Sequence, residues 1–272
     1  MPANRRQDAC APVLKLMFIR AIVRPPAPNF SEGLTTAGLG EPDYQFALRQ
    51  HEAYCAALEQ CGLSLITLEP DPDYPDSTFV EDTAIVTNHC AVLARPGAAS
   101  RRGEVTSISS VLGNFFPALH SIQAPGTLDG GDVCEAGNHF LIGLSRRTNE
   151  AGAQQLTEII AQFGYTSSVV DIRDVDGILH LKSGVAYLGD NRLVVTEAMA
   201  QRREFASYDL IQVSSGEEYA ANCLRVNDRV LIAAGNHSFE TTLRQLGYQT
   251  ITLDMSEFQK MDGGLSCLSL RL

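Results

Sequence analysis

Short apolar runs bounded by Gly, Pro, Asn or Asp alternate along this chain with longer stretches where apolar residues return every three or four positions. The first pattern predicts brief strands and the second amphipathic helices. A strand at about 16–24 leads into Pro25-Pro26-Ala27-Pro28, which forces an extended loop towards Gly33-Leu34-Thr35-Thr36. Phe46, Leu48, Tyr54, Ala57 and Leu58 then recur at helical spacing over about 43–62, and Gly62 is placed to cap that helix. Leu63 to Leu68 reads as a strand ended by Pro70.

Beyond this point the order strand, strand, helix, strand repeats. Strands at 84–87 and 91–95, a helix at 103–114 and a strand at 120–124 form one unit. Strands at 132–136 and 139–144, a helix at 149–163 and a strand at 167–172 form the next. A third begins with strands at 184–188 and 192–196, and a fourth runs 223–226, 229–233, helix 238–246 and a strand to Leu253. The openings fall at Glu81, Asp129, His180, Asn222 and Cys267, separated by 48, 51, 42 and 45 residues. Such a period marks a repeat architecture. Gly264–Leu270 reads as a fifth opening strand, and the missing remainder of its unit stands at the N-terminal end. Pairing of the two ends closes a ring, removes unpaired sheet edges and points all five openings at one axis. The expected organisation is residues 1–15 as a disordered extension, with Met17 the start of the core, and 16–272 as a single α/β domain.

Composition narrows the class. Of 272 residues 44% are hydrophobic and 19% charged, as in a globular protein. No apolar run approaches the roughly 18–20 residues that span a bilayer, and 13–23 is interrupted by Lys15 and Arg20, so a cytoplasmic protein without membrane contact is expected. A net charge of −11 with only Lys15, Lys182 and Lys260 leaves no basic stripe for nucleic acid. Cysteines at 10, 55, 61, 90, 134, 223 and 267 are odd in number and lack a C-x-x-C, which fits neither a disulfide framework nor a zinc knuckle.

The chemistry lies at the openings. Met261-Asp262-Gly263-Gly264-Leu265-Ser266-Cys267 sets a cysteine just past a Gly-Gly turn, where a ligand can approach closely. The ring brings it together with Asp76, Glu81, Asp82, Asp129, Asp132 and His180. Taken singly, each reads as turn chemistry or core. Together they form the cysteine, histidine and carboxylate set of covalent catalysis. Several carboxylates around a thiol suit a planar guanidinium cation, whose fork of N–H donors they meet in bidentate fashion.

Seven stretches then carry a resemblance: Phe79-Val80-Glu81-Asp82, Arg95-Pro96-Gly97-Ala98 with Ser100-Arg101-Arg102, Thr127-Leu128-Asp129-Gly130-Gly131-Asp132-Val133, Gly143-Leu144-Ser145-Arg146-Arg147-Thr148-Asn149, Leu179-His180-Leu181-Lys182-Ser183, Ala220-Ala221-Asn222-Cys223 and Asp262-Gly263-Gly264-Leu265-Ser266-Cys267. In these the chain resembles the dimethylarginine dimethylaminohydrolases of the guanidino-modifying, or pentein, superfamily. The resemblance implies a five-bladed α/β propeller of ββαβ units with pseudo-fivefold symmetry. It implies hydrolysis of N-omega-methylated arginine to citrulline and methylamine or dimethylamine, with no cofactor and no metal. By motif, Cys267 attacks the guanidinium carbon and His180 protonates the leaving amine. Asp129 and Asp82 hold the guanidinium nitrogens, Arg101 and Arg147 grip the substrate carboxylate, and Asp76 with the Leu34 and Met261 carbonyls meets the amino group, with Glu81 counted among the substrate-binding residues. The chain is also compatible with a homodimer. Acidic neighbours are expected to keep the thiol protonated until a cationic substrate arrives; a mostly ionised thiol in the free enzyme at pH 7 would count against this.

Alternative readings are an arginine deiminase or other guanidine hydrolase, or a non-catalytic binding module on the same propeller. Deiminases and amidinotransferases carry an Asp two residues after the histidine. Here that position is Lys182, which favours a methylated guanidinium with fewer N–H donors to satisfy. Cys267 and His180 alone are too few ligands for a structural zinc site.

Overall fold

Each repeat of the chain folds as one three-stranded sheet with a crossover on its outer side, in a computed structural model that describes residues 18–272. The expectations for 1–15 and for Met17 lie outside the described residues. The first elements are β1 (Arg20–Val23), α1 (Tyr44–Gln60) and β2 (Ser64–Thr67). Helix α1 starts where the Asp43 side chain accepts the Phe46 N–H at 2.8 Å. It buries Ala47, Gln50, His51, Tyr54, Ala57 and Leu58 along one face. It stops at Gly62, whose φ of +91° lets Gly62 N–H reach the Glu59 carbonyl and Leu63 N–H the Leu58 carbonyl, a Schellman closure.

The next unit comprises β3 (Ala84–Val86), β4 (Ala91–Leu93), α2 (Val105–Leu112) and β5 (Leu119–Ser121). It is followed by β6 (Val133–Ala136), β7 (His139–Leu144), α3 (Glu150–Ala161) and β8 (Thr166–Asp171). The third opens on a single-turn helix, α4 (Leu181–Gly184), before β9 (Val185–Gly189), β10 (Arg192–Val195) and β11 (Asp209–Gln212). Its crossover is no helix but two short turns, Glu197–Met199 and Arg203–Phe205, whose Met199 and Phe205 are fully buried where a helix would set its apolar face. The fourth holds β12 (Leu224–Val226), β13 (Arg229–Ala233), α5 (His237–Gln245) and β14 (Gln249–Leu253). A one-turn helix α6 (Ser256–Gln259) leads to β15 (Leu270–Arg271).

In every sheet the first two strands are antiparallel and the outer strand is parallel to the middle one. The fifth sheet has the order β15-β1-β2, with Ala21 opposite Arg271 and Ile22 opposite Leu270. The two ends of the chain therefore close the ring, as the repeat predicts. Two expectations are corrected. The five sheets stay distinct, so closure completes the fifth rather than abolishing edges. The stretch Gly264–Leu270 is not a strand: Ser266–Leu268 is a one-turn 3-10 helix, and only Leu270 and Arg271 pair.

The core is divided among five seams, each shared by neighbouring units. Ile85 and Val92 pack with Phe140 and Leu156, for example, and Cys134 and Leu141 with Val185 and Leu193. The closing seam sets Ile22 and Leu270 against Val80, Ala91 and Ile108.

Candidate active site

A single helical turn precedes the first strand of each unit: Val80–Thr83, Gly130–Asp132, α4, Glu218–Ala221 and Ser266–Leu268. These five turns form the tips of the ring. They pack closely enough that a Cβ on Gly130 would overlap the Glu81 carbonyl, and one on Gly131 would lie 2.8 Å from both Asp82 Oδ1 and His180 Nδ1. Glycine at both positions is a condition of the approach.

Asp129, fully buried, accepts His180 Nε2 on Oδ2 at 3.1 Å and the Gly97 N–H on Oδ1 at 2.8 Å. Burial pulls the imidazole towards neutrality, but the Asp82, Asp132 and Asp129 carboxylates outweigh it and His180 is raised to about 9. Asp82 accepts the Gly131 N–H at 2.8 Å and Arg101 Nη1 at 2.6 Å. Burial opposes its charge, yet His180 and Arg101 hold it well below the usual carboxylate range. Asp132 takes the Ser145 and Thr148 hydroxyls at 2.6 and 2.7 Å and the Leu181 N–H at 3.0 Å, so it ties the loop before α3 to the histidine's turn. Desolvation raises it to about 6.

Cys267 stands half-buried in the middle of the last tip turn. Burial, then the Glu81 and Asp82 charges, push its thiol up to about 12. These surroundings favour a neutral thiol at Cys267 and a cationic imidazole at His180 at neutral pH.

Of the two arginine doublets, Arg101 is buried and Arg102 exposed, while Arg147 is half-buried and Arg146 exposed. Arg147 Nη1 is buried and has no hydrogen-bond partner among the described residues. Arg101 is differently placed. Glu104 takes Nε and Nη2 at 3.0 and 2.8 Å, Asp82 takes Nη1, and the Phe79 carbonyl takes Nη2 at 3.1 Å. Four of its five N–H donors are thus engaged internally.

Glu81, expected among the substrate-binding residues, is held on both oxygens. Lys182 Nζ lies 2.7 Å and Arg271 Nη2 3.2 Å from Oε1, and the Ser266 hydroxyl donates to Oε2 at 2.7 Å. Asp76 accepts the Leu34 N–H on both oxygens at 3.0 and 3.2 Å, and Met261 lies beside them across Gly33. The loop continuing from Leu34 is fastened by the Thr36 N–H and hydroxyl on Asp262 Oδ2 and by the Thr35 hydroxyl on the Lys260 carbonyl. A cavity of about 990 Å³ opens alongside, lined by Thr36 and Leu39 of this loop and by Leu179, Asn222, Gly263 and Gly264 next to the tips. Asp82, Asp129 and His180 present oxygen and nitrogen atoms within 4.8 Å of one another. With a cationic histidine and Arg101 among them, that cluster suits proton transfer better than a metal ion.

Sequence reasoning gives no role to Glu104 or Ser266 and names Asn222 only as an opening. The repeat register was the available signal for Asn222, since it occupies the fourth tip.

Fold and tips together define the class: a pentein, the five-unit propeller of guanidine-modifying enzymes. The family model for arginine deiminase matches residues 48–220. The N(G),N(G)-dimethylarginine dimethylaminohydrolase of Pseudomonas aeruginosa is 44% identical over 94% of this chain and 100% of its own, and that of Streptomyces coelicolor 35% over 93% and 96%. The solved structure of a cysteine-to-serine mutant of the Pseudomonas enzyme, complexed with citrulline, superposes with a TM-score of 0.91 at 43% identity, covering 94% of this chain and all of that one. The N-terminal domain of the cyanobacterial arginine dihydrolase ArgZ, at 18% identity and a TM-score of 0.82 over 93% and 97%, shares the fold. This chain belongs to the dimethylarginine dimethylaminohydrolase family.

Proposed function

We propose that this protein hydrolyses N-omega-methylated arginines, asymmetric dimethylarginine and monomethylarginine, to L-citrulline and di- or monomethylamine. The observation that carries the reading is the buried His180–Asp129 hydrogen bond, with Asp82 within 4.8 Å of both, in a ring of tip turns whose last bears Cys267. The surrounding carboxylates favour a neutral thiol and a cationic imidazole. A bound guanidinium adds positive charge beside the sulfur and favours loss of the thiol proton to solvent, so substrate assists activation of its own nucleophile. The sulfur forms a bond to the guanidinium carbon, and the C–N bond to the methylated nitrogen breaks as His180 donates a proton to the departing amine. The neutral imidazole then takes a proton from water, which attacks the thiouronium carbon and releases citrulline and the thiol.

Asp129 orients His180 and, with Asp82, supplies the negative field that holds the guanidinium. The unpartnered Arg147 Nη1 supports a carboxylate contact at Arg147 rather than Arg146. Arg101, largely engaged by Glu104 and Asp82, has one Nη1 hydrogen left for substrate. Asp76 with the Leu34 and Met261 backbone forms the recess for the α-amino group. Lys182, in the position that carries an acid in deiminases, is paired with Glu81 and adds no acceptor for an unmethylated nitrogen. The reading includes a cytoplasmic setting. The six cysteines among the described residues are free, as a reducing compartment requires, and no helix there is long and apolar enough to cross a membrane.

The test is citrulline release from asymmetric dimethylarginine and from arginine, by wild type and Cys267→Ala, after chelator treatment. Release from the methylated substrate alone, lost in the variant, is expected. Release mainly from arginine would make this a deiminase, and none from either would return the binding-module reading.

A further inference from the structure

Four residues outside the reacting pair close a circuit of hydrogen bonds around the axis. The Asn222 Oδ1 accepts the Ser266 N–H at 3.0 Å, and its Nδ2 donates to the Ser266 hydroxyl at 3.1 Å and the Lys182 carbonyl at 2.9 Å. The Ser266 hydroxyl donates in turn to Glu81 Oε2 at 2.7 Å. Lys182 Nζ meets Glu81 Oε1 at 2.7 Å, which returns the path to its start. Ser266 immediately precedes Cys267, and Lys182 lies two residues after His180. The circuit therefore joins the turn bearing the sulfur to the turn bearing the imidazole.

Asn222 is chemically suited to this junction. It uses one acceptor and both amide hydrogens, a combination that neither Asp nor an apolar residue supplies. Its approach also depends on Gly264, where a Cβ would come within 2.5 Å of Asn222 Oδ1. Gly264 thus admits the asparagine against the turn.

We propose that Asn222 is a positioning residue: with Ser266 and the Glu81–Lys182 pair it fixes the Cys267 sulfur against the His180 imidazole, without touching substrate. The inference rests on Cys267 and His180 being the nucleophile and acid. It assigns Glu81 to this circuit rather than to substrate.

Steady-state kinetics on asymmetric dimethylarginine, with thermal unfolding of each protein, test it in Asn222→Ala, Ser266→Ala, their double variant and Ser266→Thr, with Cys267→Ala as control. Misplacing a reacting group by about an ångström costs up to roughly a hundredfold, so kcat is expected to fall roughly 10- to 100-fold in each single variant while KM stays within about threefold. Because the circuit acts as one unit, the double variant should be no more than about threefold worse than the poorer single. Ser266→Thr, which keeps the hydroxyl, should recover most of the rate. Folded variants with kcat within about threefold of wild type, losses confined to KM, or multiplying effects would each overturn the proposal. If Asn222→Ala does not fold, the contrast between Ser266→Ala and Ser266→Thr decides it. Activity in Cys267→Ala would overturn the nucleophile assignment itself, and this inference with it.

Discussion

His180 is asked to remain protonated in a fully enclosed site, and three carboxylates make that feasible. Its raised value means that the folded state holds a proton the unfolded chain releases at about 6.5. The stabilisation is therefore complete below pH 6.5 and is lost as pH rises through about 9. The form that the proposed mechanism requires of His180 is also the form the fold favours at neutral pH. We predict that kcat/KM for asymmetric dimethylarginine falls on an alkaline limb near pH 9, and that Asp129→Asn moves this limb down by about one unit or more, because an opposite charge in contact contributes one to three. The pH–rate profile of both proteins is the measurement. An unmoved limb in the variant would mean that the group titrating there is not His180.

The tip turns show how far local pattern carries. Glu81, Asp129, His180, Asn222 and Cys267 could be placed in register from the alternation of strands and turn residues alone, because strand, turn and helix spacings are local properties. That each opening is a single helical turn was not legible, since a helix of three or four residues has too little length to show a period. Nor was the missing helix of the third unit. What the side chains do at the axis was less legible still. Glu81 finds Ser266 and Arg271 at sequence separations of 185 and 190, and Arg101 finds Asp82, in the tip turn of its own unit, at a separation of 19. No spacing rule reaches such pairs. The close stacking of tips also sets a prediction. In Gly130→Ala the new methyl overlaps the Glu81 backbone, so one tip must move. Overpacking of this kind costs about 2 kcal/mol or more, a drop in thermal midpoint of roughly 4–8 °C for a chain of this size. Because Asp82 adjoins Glu81 in the displaced turn, kcat/KM should fall at least about tenfold as well. A variant with wild-type midpoint and activity would show that the tips have room to spare.

Five seams rather than one central core hold the ring, so each unit is stable only against its neighbours, and the closing seam matters as much as any other. Closure here has a chemical consequence, because the strand that completes the fifth sheet begins three residues after Cys267, the proposed nucleophile. Leu270 is buried against Val80, Ala91 and Ile108, and its backbone pairs with Ile22. Beside it Arg271 donates to the Ser266 and Ser269 carbonyls and to Glu81, which ties the register of the strand to the Cys267 turn. Packing and register can therefore be separated by mutation. Leu270→Ala removes about 2–5 kcal/mol of burial but leaves the backbone pairing. Its thermal midpoint should fall by about 5–15 °C, while kcat measured well below that midpoint stays within a fewfold of wild type. Deleting Leu270, Arg271 and Leu272 removes pairing, packing and the arginine together, and activity should be lost even at temperatures where circular dichroism still reports folded chain. If the truncated protein turned over at the wild-type rate, the last tip would be held by its own turn and the Asn222 contacts alone, and closure would be a matter of stability only.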